Sequence, residues 1–432
     1  MAGTHNNIFK KADFINNSNI YEVNLRQYTA AGTFNAFLAE LPRLKDMGVQ
    51  ILWFMPITPI SKKNRKGELG SYYACSDYVS VNPEFGSLDD LKNLLKHAKA
   101  MGFKIMMDWV ANHTGWDHVW TISNPEFYLK DNDNGDFKRA EGMEDIIELD
   151  FSNTALRKAM INAMEFWISE CDIDGFRCDL AFWVQLDFWV EARSALEQTK
   201  TLFWLGEFDP LDKPEYCTVF DAVYTWTWMH KTETFYKERP GLEFLKDVLR
   251  RYDAVCNKDH IPLWFTSNHD ENSWNGTEYE KYGDMTKTLA VFSFTWEGIS
   301  MIYSGQELPN RKRLKFFEKD NIEWAPQCEL HEFYKTLLTL HTHHPALRAA
   351  DAVVANIFLQ TNAEANVLAY ERKSRNNSVL VLLNLSDAAI KCNINTVGVE
   401  GDYTDVFTKT TFFINAETTF NLPPWGFLLY EN

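Results

Sequence analysis

Residues 89–113, DDLKNLLKHAKAMGFKIMMDWVANH, decide the fold. In the first half, Leu91, Leu94, Leu95 and Ala98 recur at helical spacing on one face, which predicts a helix over 89–101. In the second half, 103–109 is nearly all apolar, the composition of a strand buried on both faces. That strand runs out into Asp108, Asn112 and His113. An amphipathic helix feeding a doubly buried strand belongs to a parallel sheet wrapped in helices.

Outward from this unit the alternation repeats. Strands are predicted at 20–25, 49–55, 103–109, 175–178, 202–205, 220–224, 263–266 and 299–303, with helices at 34–47, 154–170, 186–198 and 242–255 among them. Eight strands alternating with helices fit a closed parallel barrel or a doubly wound open sheet, and periodicity alone does not separate the two. One connection is anomalous: between Trp109 and Thr154 lies a long stretch rich in Asn, Asp, Gly and aromatics, too long for an ordinary loop. From about Ala346 the rhythm changes to short strands at 353–359, 366–371, 378–383, 390–394, 410–413 and 426–429. Asn376-Asn377 and Glu400-Gly401 read as hairpin turns, so the C-terminus is expected to be an all-β sandwich. The expected division is 1–109 and 153–345 for the barrel, 110–152 for the insertion and 346–432 for the β domain.

Composition narrows the partners. The 432 residues carry 60 acidic against 43 basic side chains, a net charge of −17 that repels phosphate backbones and anionic lipid. Neither nucleic acid nor a membrane is expected as a partner, and no apolar run reaches the roughly 20 residues of a spanning helix. Residues 1–7 are polar and lack an apolar signal core, so a soluble chain is expected. The compartment stays open: cytoplasmic as the sequence stands, periplasmic or secreted if a leader has been trimmed. The seven cysteines include no CxxC pair and read as small buried hydrophobes.

Chemistry emerges at the strand ends. The third predicted strand ends in Asp108, followed by Asn112 and His113; the fourth carries Arg177 and Asp179; the fifth leads to Glu207; the seventh leads to Asn268, His269 and Asp270. In a parallel barrel these ends converge on one face. Any one acid there could be a helix cap, but the set together asks for a charged reaction centre. A retaining glycosidase needs one carboxylate to attack the anomeric carbon and a second, protonated, to release the leaving oxygen. Arg177 is expected to keep Asp179 ionised with a lowered pKa, and the apolar run Phe203-Trp204-Leu205 to raise that of Glu207.

These segments resemble the conserved regions of the α-amylase family of glycoside hydrolases. Asp108-Trp-Val-Ala-Asn112-His113 is similar to the first region, Gly175-Phe-Arg177-Cys-Asp179 to the second, Trp204-Leu-Gly-Glu207 to the third and Phe265-Thr-Ser-Asn268-His269-Asp270 to the fourth. The resemblance implies an α/β fold: a (β/α)₈ TIM barrel, a small domain B inserted after strand three, and an all-β C-terminal sandwich domain. It implies Asp179 as nucleophile, Glu207 as general acid/base and Asp270 as the third catalytic carboxylate, with Arg177, His113, His269 and the stacking Tyr73 around the reacting sugar. The substrate it implies is an α-glucan or oligosaccharide, cleaved at α-1,4 bonds. An exo-acting α-glucosidase, an α-1,6 or cyclomaltodextrin-type enzyme and a transglycosylase share the same catalytic set. A non-catalytic sugar-binding protein would be expected to lack part of that set.

No cofactor is required for this chemistry, but the family's structural calcium would use Asn112 and Glu148, the latter standing where Asp is usual. Asp131–Asp136 looks like a calcium loop, yet the twelfth position is Gly142 rather than Glu, so a solvated turn is expected. Trp116, Trp120, Trp183 and Trp226 are candidate sugar platforms, with Trp116 and Trp183 preferred because they follow catalytic segments. Leu180, Phe182 and Trp183 depart from the family's pattern on the acceptor side. His341, His343 and His344 are expected to be exposed helix-end histidines.

Overall fold

The computed structural model describes residues 6–132, 135–140, 142–256, 260–395 and 398–432. Of the residues discussed above, 1–5, Asp133 and Asn134 lie outside them. Eight parallel strands close a barrel in the order of the chain: Asn19–Val23, Ile51–Phe54, Lys104–Trp109, Gly175–Cys178, Phe203–Gly206, Ala222–Tyr224, Ile261–Trp264 and Ile299–Tyr303. The first pairs with both the second and the eighth, which excludes the open sheet. The seventh strand starts two residues earlier than its sequence predicts, because Pro262 pairs with Val223 near the strand start, where a missing N–H is tolerated. Thr266 thereby falls in the loop, and the polar run behind it is carried over the barrel mouth.

Local chemistry sets the helices. Leu88–Ala100 begins with a capping box in which the side chains of Ser87 and Asp90 satisfy each other's backbone N–H. The single helix expected over 34–47 is broken into Phe34–Phe37, a 3-10 turn Leu38–Glu40, and Leu41–Met47. Pro42 is the reason: it has no N–H to give, so the chain tightens ahead of it and restarts. Among the described residues no helix is long and apolar enough to cross a membrane.

Inside the insertion, His113–Gly115, Arg139–Ala140 and Met143–Glu148 form a three-stranded sheet beside the barrel mouth. The C-terminal residues form a six-stranded antiparallel sheet with a two-stranded sheet, Ile390–Cys392 and Phe420–Leu422, as the second layer. Alternation buries the large sheet on both faces: Leu368, Tyr370, Val379 and Val381 join the barrel's core, while Val367, Ala369, Leu380 and Leu382 join a core of the domain's own. Tyr370 marks the seam, edge-on to Trp296 at 4.8 Å with its hydroxyl 2.6 Å from that of Thr295. The hairpin expected at Asn376-Asn377 turns one residue earlier, at Arg375-Asn376, with Arg375 left-handed at φ 55° and Asn377 already paired with Ser374. Glu400-Gly401 instead leads into a strand, Gly401–Asp405, that the sequence pattern hides because its residues are mostly polar.

The histidine expectation needs correction. His341 is fully buried, with Nδ1 2.9 Å from the carbonyl of Phe294, whereas His343 is exposed and His344 caps the following turn. The apolar face of helix His331–His343 turns His341 inward. All seven cysteines are free, and five are buried.

Gly175 opens the strand that carries Arg177, and a Cβ there would lie 2.3 Å from the carbonyl oxygen of Phe203 on the next strand. Gly175→Ala is expected to destabilise the protein by about 2 kcal/mol or more, since backbone and not a flexible side chain must move. An unchanged melting temperature would contradict the tight strand contact.

Candidate active site

Arg177 points from the fourth strand into the barrel and is completely buried. Its Nη1 donates to Asp108 Oδ1 at 3.0 Å and Asp179 Oδ1 at 2.8 Å, and its Nε to the Tyr224 hydroxyl at 3.2 Å. Its Nη2 lies 2.9 Å from Glu207 Oε2, an ion pair by distance rather than an aligned hydrogen bond. One guanidinium thus faces three carboxylates brought from the ends of the third, fourth and fifth strands. The planar fork of arginine suits this; an ammonium would not span them.

Burial sets the titration of these acids. It raises Asp108 and Asp179 to about 6 and Glu207 to about 7, with Arg177 pulling against it in each case. The lowered pKa expected for Asp179 is therefore reversed: desolvation outweighs the arginine, and the charge of Asp108 adds to it. The order of the pair is as expected, with Glu207 above Asp179. Glu207 also accepts from the backbone N–H of Leu180 at 2.8 Å.

A second polar group stands beside the first. His269 Nε2 is 2.7 Å from the Tyr73 hydroxyl and 3.2 Å from Asp270 Oδ2, and its ring stacks on that of Tyr73 with centroids 5.3 Å apart. Tyr73 in turn donates to Asp108 Oδ2 at 3.2 Å, which joins the two groups. Burial alone would raise Asp270, but the nearby His269 and Arg177 outweigh it and lower its pKa.

Of these groups Tyr73, Asp179, Glu207 and Asp270 line a cavity of about 570 Å³ at the barrel mouth, with His113 and Trp183, while Arg177, Asp108 and His269 stand behind its wall. That volume suits a small ligand or a few units of a polymer. His113 is buried, which lowers its pKa to about 4, and its Nε2 has no protein partner. A neutral imidazole with a free ring nitrogen is suited to a neutral polar ligand. Trp274, Phe316 and Phe317 complete the apolar wall. Sequence reading missed these three, and the only available signal was their place after the seventh and eighth strands.

Other candidates fall elsewhere. Trp116 does not line the cavity: it is buried, its indole N–H donates to the carbonyl of Glu144 at 2.9 Å, and Lys63 and Arg139 sit near its ring. Trp120 packs on Tyr78 and Phe127, and Trp226 stacks on Tyr224 and His230. Asn112 and Glu148 do line one common recess, but Lys138 Nζ stands 2.6 Å from Glu148 Oε2. A calcium ion sits about 2.3–2.6 Å from its oxygens, so the ammonium takes the place it would need. A cation in that recess would compete with Lys138 for Glu148.

Comparison with known proteins bears on the fold and the family. The family model described as alpha amylase, catalytic domain, matches residues 9–141 and 129–326, and that described as maltogenic amylase, C-terminal domain, matches 357–429. The chain is 26% identical over 426 residues to alpha-amylase 2 of Dictyoglomus thermophilum, covering 91% of this chain and 70% of that one. It is also 26% identical over 434 residues to a cyclomaltodextrinase of Geobacillus thermopakistaniensis, covering 92% and 70%. A noncanonic maltogenic alpha-amylase of Thermotoga neapolitana superposes with a TM-score of 0.87 at 28% identity, over 96% of this chain and 98% of that one.

Glu207 gives a pH signature to stability. Its folded-state pKa lies above the ordinary 4.5, so the stability it contributes is complete below 4.5 and is lost as pH rises through about 7. Glu207→Gln removes the group that must ionise in the folded state. It is expected to stabilise the protein by on the order of 2–3 kcal/mol near pH 8 and by little near pH 4. Thermal melts of both proteins at the two pH values test this, and an equal effect at both would refute it.

Proposed function

The chain belongs to the α-amylase family of glycoside hydrolases, and from that premise we propose that it cleaves α-1,4-glucosidic bonds of starch, maltooligosaccharides or related α-glucans with retention at the anomeric carbon. The observation that carries this reading is the pairing of Asp179 and Glu207 on the two terminal nitrogens of Arg177, at the wall of one cavity. Arg177 orients Asp179 and, with the lower pKa of the two, Asp179 is the acid that ionises first. It attacks the anomeric carbon and forms a glycosyl-enzyme ester. Glu207, about half protonated at neutrality, gives its proton to the leaving glycosidic oxygen, then takes one from the water that cleaves the ester. Asp270, held anionic, balances the positive charge of the oxocarbenium-like transition state. His113 binds a sugar hydroxyl through Nε2, and Trp183, partly exposed at the cavity wall, offers a stacking face toward the acceptor.

No step in this scheme uses a metal, and the Lys138–Glu148 pair supplies inside the insertion the positive charge that calcium would bring. A second reading, opening of cyclomaltodextrins or release of maltose, is favoured by the C-terminal match and by the names of the similar proteins. An exo-acting α-glucosidase, an α-1,6 enzyme and a transglycosylase are distinguished from both by products alone.

Asp179→Asn and Glu207→Gln are each expected to lower turnover of maltooligosaccharides by at least about a thousandfold with the fold intact. NMR of fresh wild-type product should show the α-anomer first; near-wild-type turnover in either variant, or the β-anomer first, would overturn the mechanism. The time course on starch, cyclomaltodextrin, pullulan and isomaltose then separates the readings. Treatment with a calcium chelator is expected to change neither activity nor melting temperature, and a fall in either would return the structural role to the metal.

A further inference from the structure

Below the cavity lies a carboxylate that the catalytic scheme leaves unused. Glu22, on the first barrel strand, is completely buried, and it does not line the cavity. Its Oε1 is 2.5 Å from His269 Nδ1, and its Oε2 has no hydrogen-bond partner. On the other side of the ring, His269 Nε2 faces Asp270 Oδ2 at 3.2 Å and the Tyr73 hydroxyl at 2.7 Å. The Tyr73 proton is directed to Asp108, so at His269 the phenol oxygen accepts. Both ring nitrogens therefore face acceptors, and two of those acceptors are carboxylates. Only the doubly protonated ring donates at both ends.

We propose that Glu22 is a positioning residue that holds His269 as an imidazolium, so that His269 fixes the Asp270 carboxylate, ionised and aimed, at the cavity wall. The inference rests on the functional reading above in taking Asp270 as a catalytic carboxylate. The chain of action is linear: Glu22 stabilises the charge on His269, and His269 stabilises the charge on Asp270. Burial opposes a charged His269, and the two flanking carboxylates, Asp270 and Glu22, outweigh it and raise its pKa well above the ordinary value. The other groups around the ring are accounted for. Trp53 presents an edge from the second strand, Phe316 a tilted face from the loop after the eighth, and Tyr73 a stacked ring. The charge of Arg177 acts on both Glu22 and Asp270, and the Tyr303 phenol lies within reach of Glu22. Asp108, joined to the ring through the Tyr73 hydroxyl, is a third anion whose charge couples to His269. Of the three carboxylates, Glu22 alone takes no part in the catalytic scheme or in the Arg177 ion pairs, so its removal weakens the hold on the proton without touching either.

The test compares wild type with Glu22→Gln, which keeps the shape and the acceptor oxygen and removes the charge, and with Glu22→Asp, which restores the charge. In Glu22→Gln the alkaline limb of the kcat/KM profile on a maltooligosaccharide should move down by about two pH units. The loss should be about tenfold to hundredfold near pH 8 and small near pH 5.5, with partial rescue in Glu22→Asp. A uniform loss at every pH, or a profile superimposable on wild type, would overturn the proposal. Nitrogen-15 NMR of the histidines of the wild-type protein needs no variant to fold. Both His269 nitrogens should be protonated near pH 8, and a singly protonated ring there would refute the proposal. That measurement uses no substrate, so inactivity on every α-glucan beside a doubly protonated His269 would sink the functional reading alone.

Discussion

The buried guanidinium of Arg177 is the constraint on which the barrel mouth depends. Asp108, Asp179 and Glu207 come from three different strands and would repel one another in a region closed to water; one delocalised cation lies between all of them. Buried charge is costly even when paired, and burial outweighs the arginine at each of the three acids. The strand ends are therefore tied together by the same interaction that sets the chemistry. The arginine compensates only partly, and the residual cost of burial raises Glu207 above Asp179, to about 7.

The second polar group follows the same logic with the charges reversed. His269 lies between Glu22 and Asp270, one cation between two anions, and Tyr73 links it to Asp108 and so to the first group. Glu22 and Asp108 lie on barrel strands, whereas His269, Asp270 and Tyr73 come from loops at the barrel mouth. The cavity's apolar wall also comes from loops: Trp183 after the fourth strand, Trp274 after the seventh, Phe316 and Phe317 after the eighth.

The accessory layers serve the same end. The C-terminal sheet is buried on both faces, so it extends the barrel's core instead of hanging from it. The inserted sheet carries His113 at its first residue and Glu148 at the end of the strand that pairs with it, and Lys138 holds Glu148 in place. The segment holds only a small core of its own, so such tethers matter to it.

The sequence by itself determined eight strands alternating with helices and the acids at their ends; the barrel was implied only by the family resemblance, and pairing of the first strand with the eighth decided it. Alternating apolar runs and helical faces are local signals, and residues such as Asp108, Arg177 and Glu207 are fixed to the strands that bear them. It determined less where polarity masked a strand, as at 401–405, or where proline broke a helix, as at Pro42. Only the tertiary structure decided the rest. It turned Trp116 inward, placed Lys138 against Glu148, raised Asp179 where a lowered pKa was expected, and set Glu22 beneath His269, 247 positions away in the chain. The physical reason is common to all four. Desolvation and pairing depend on which groups meet in three dimensions, and closure of the barrel brings together the first strand and the loop after the seventh, which sequence spacing does not relate.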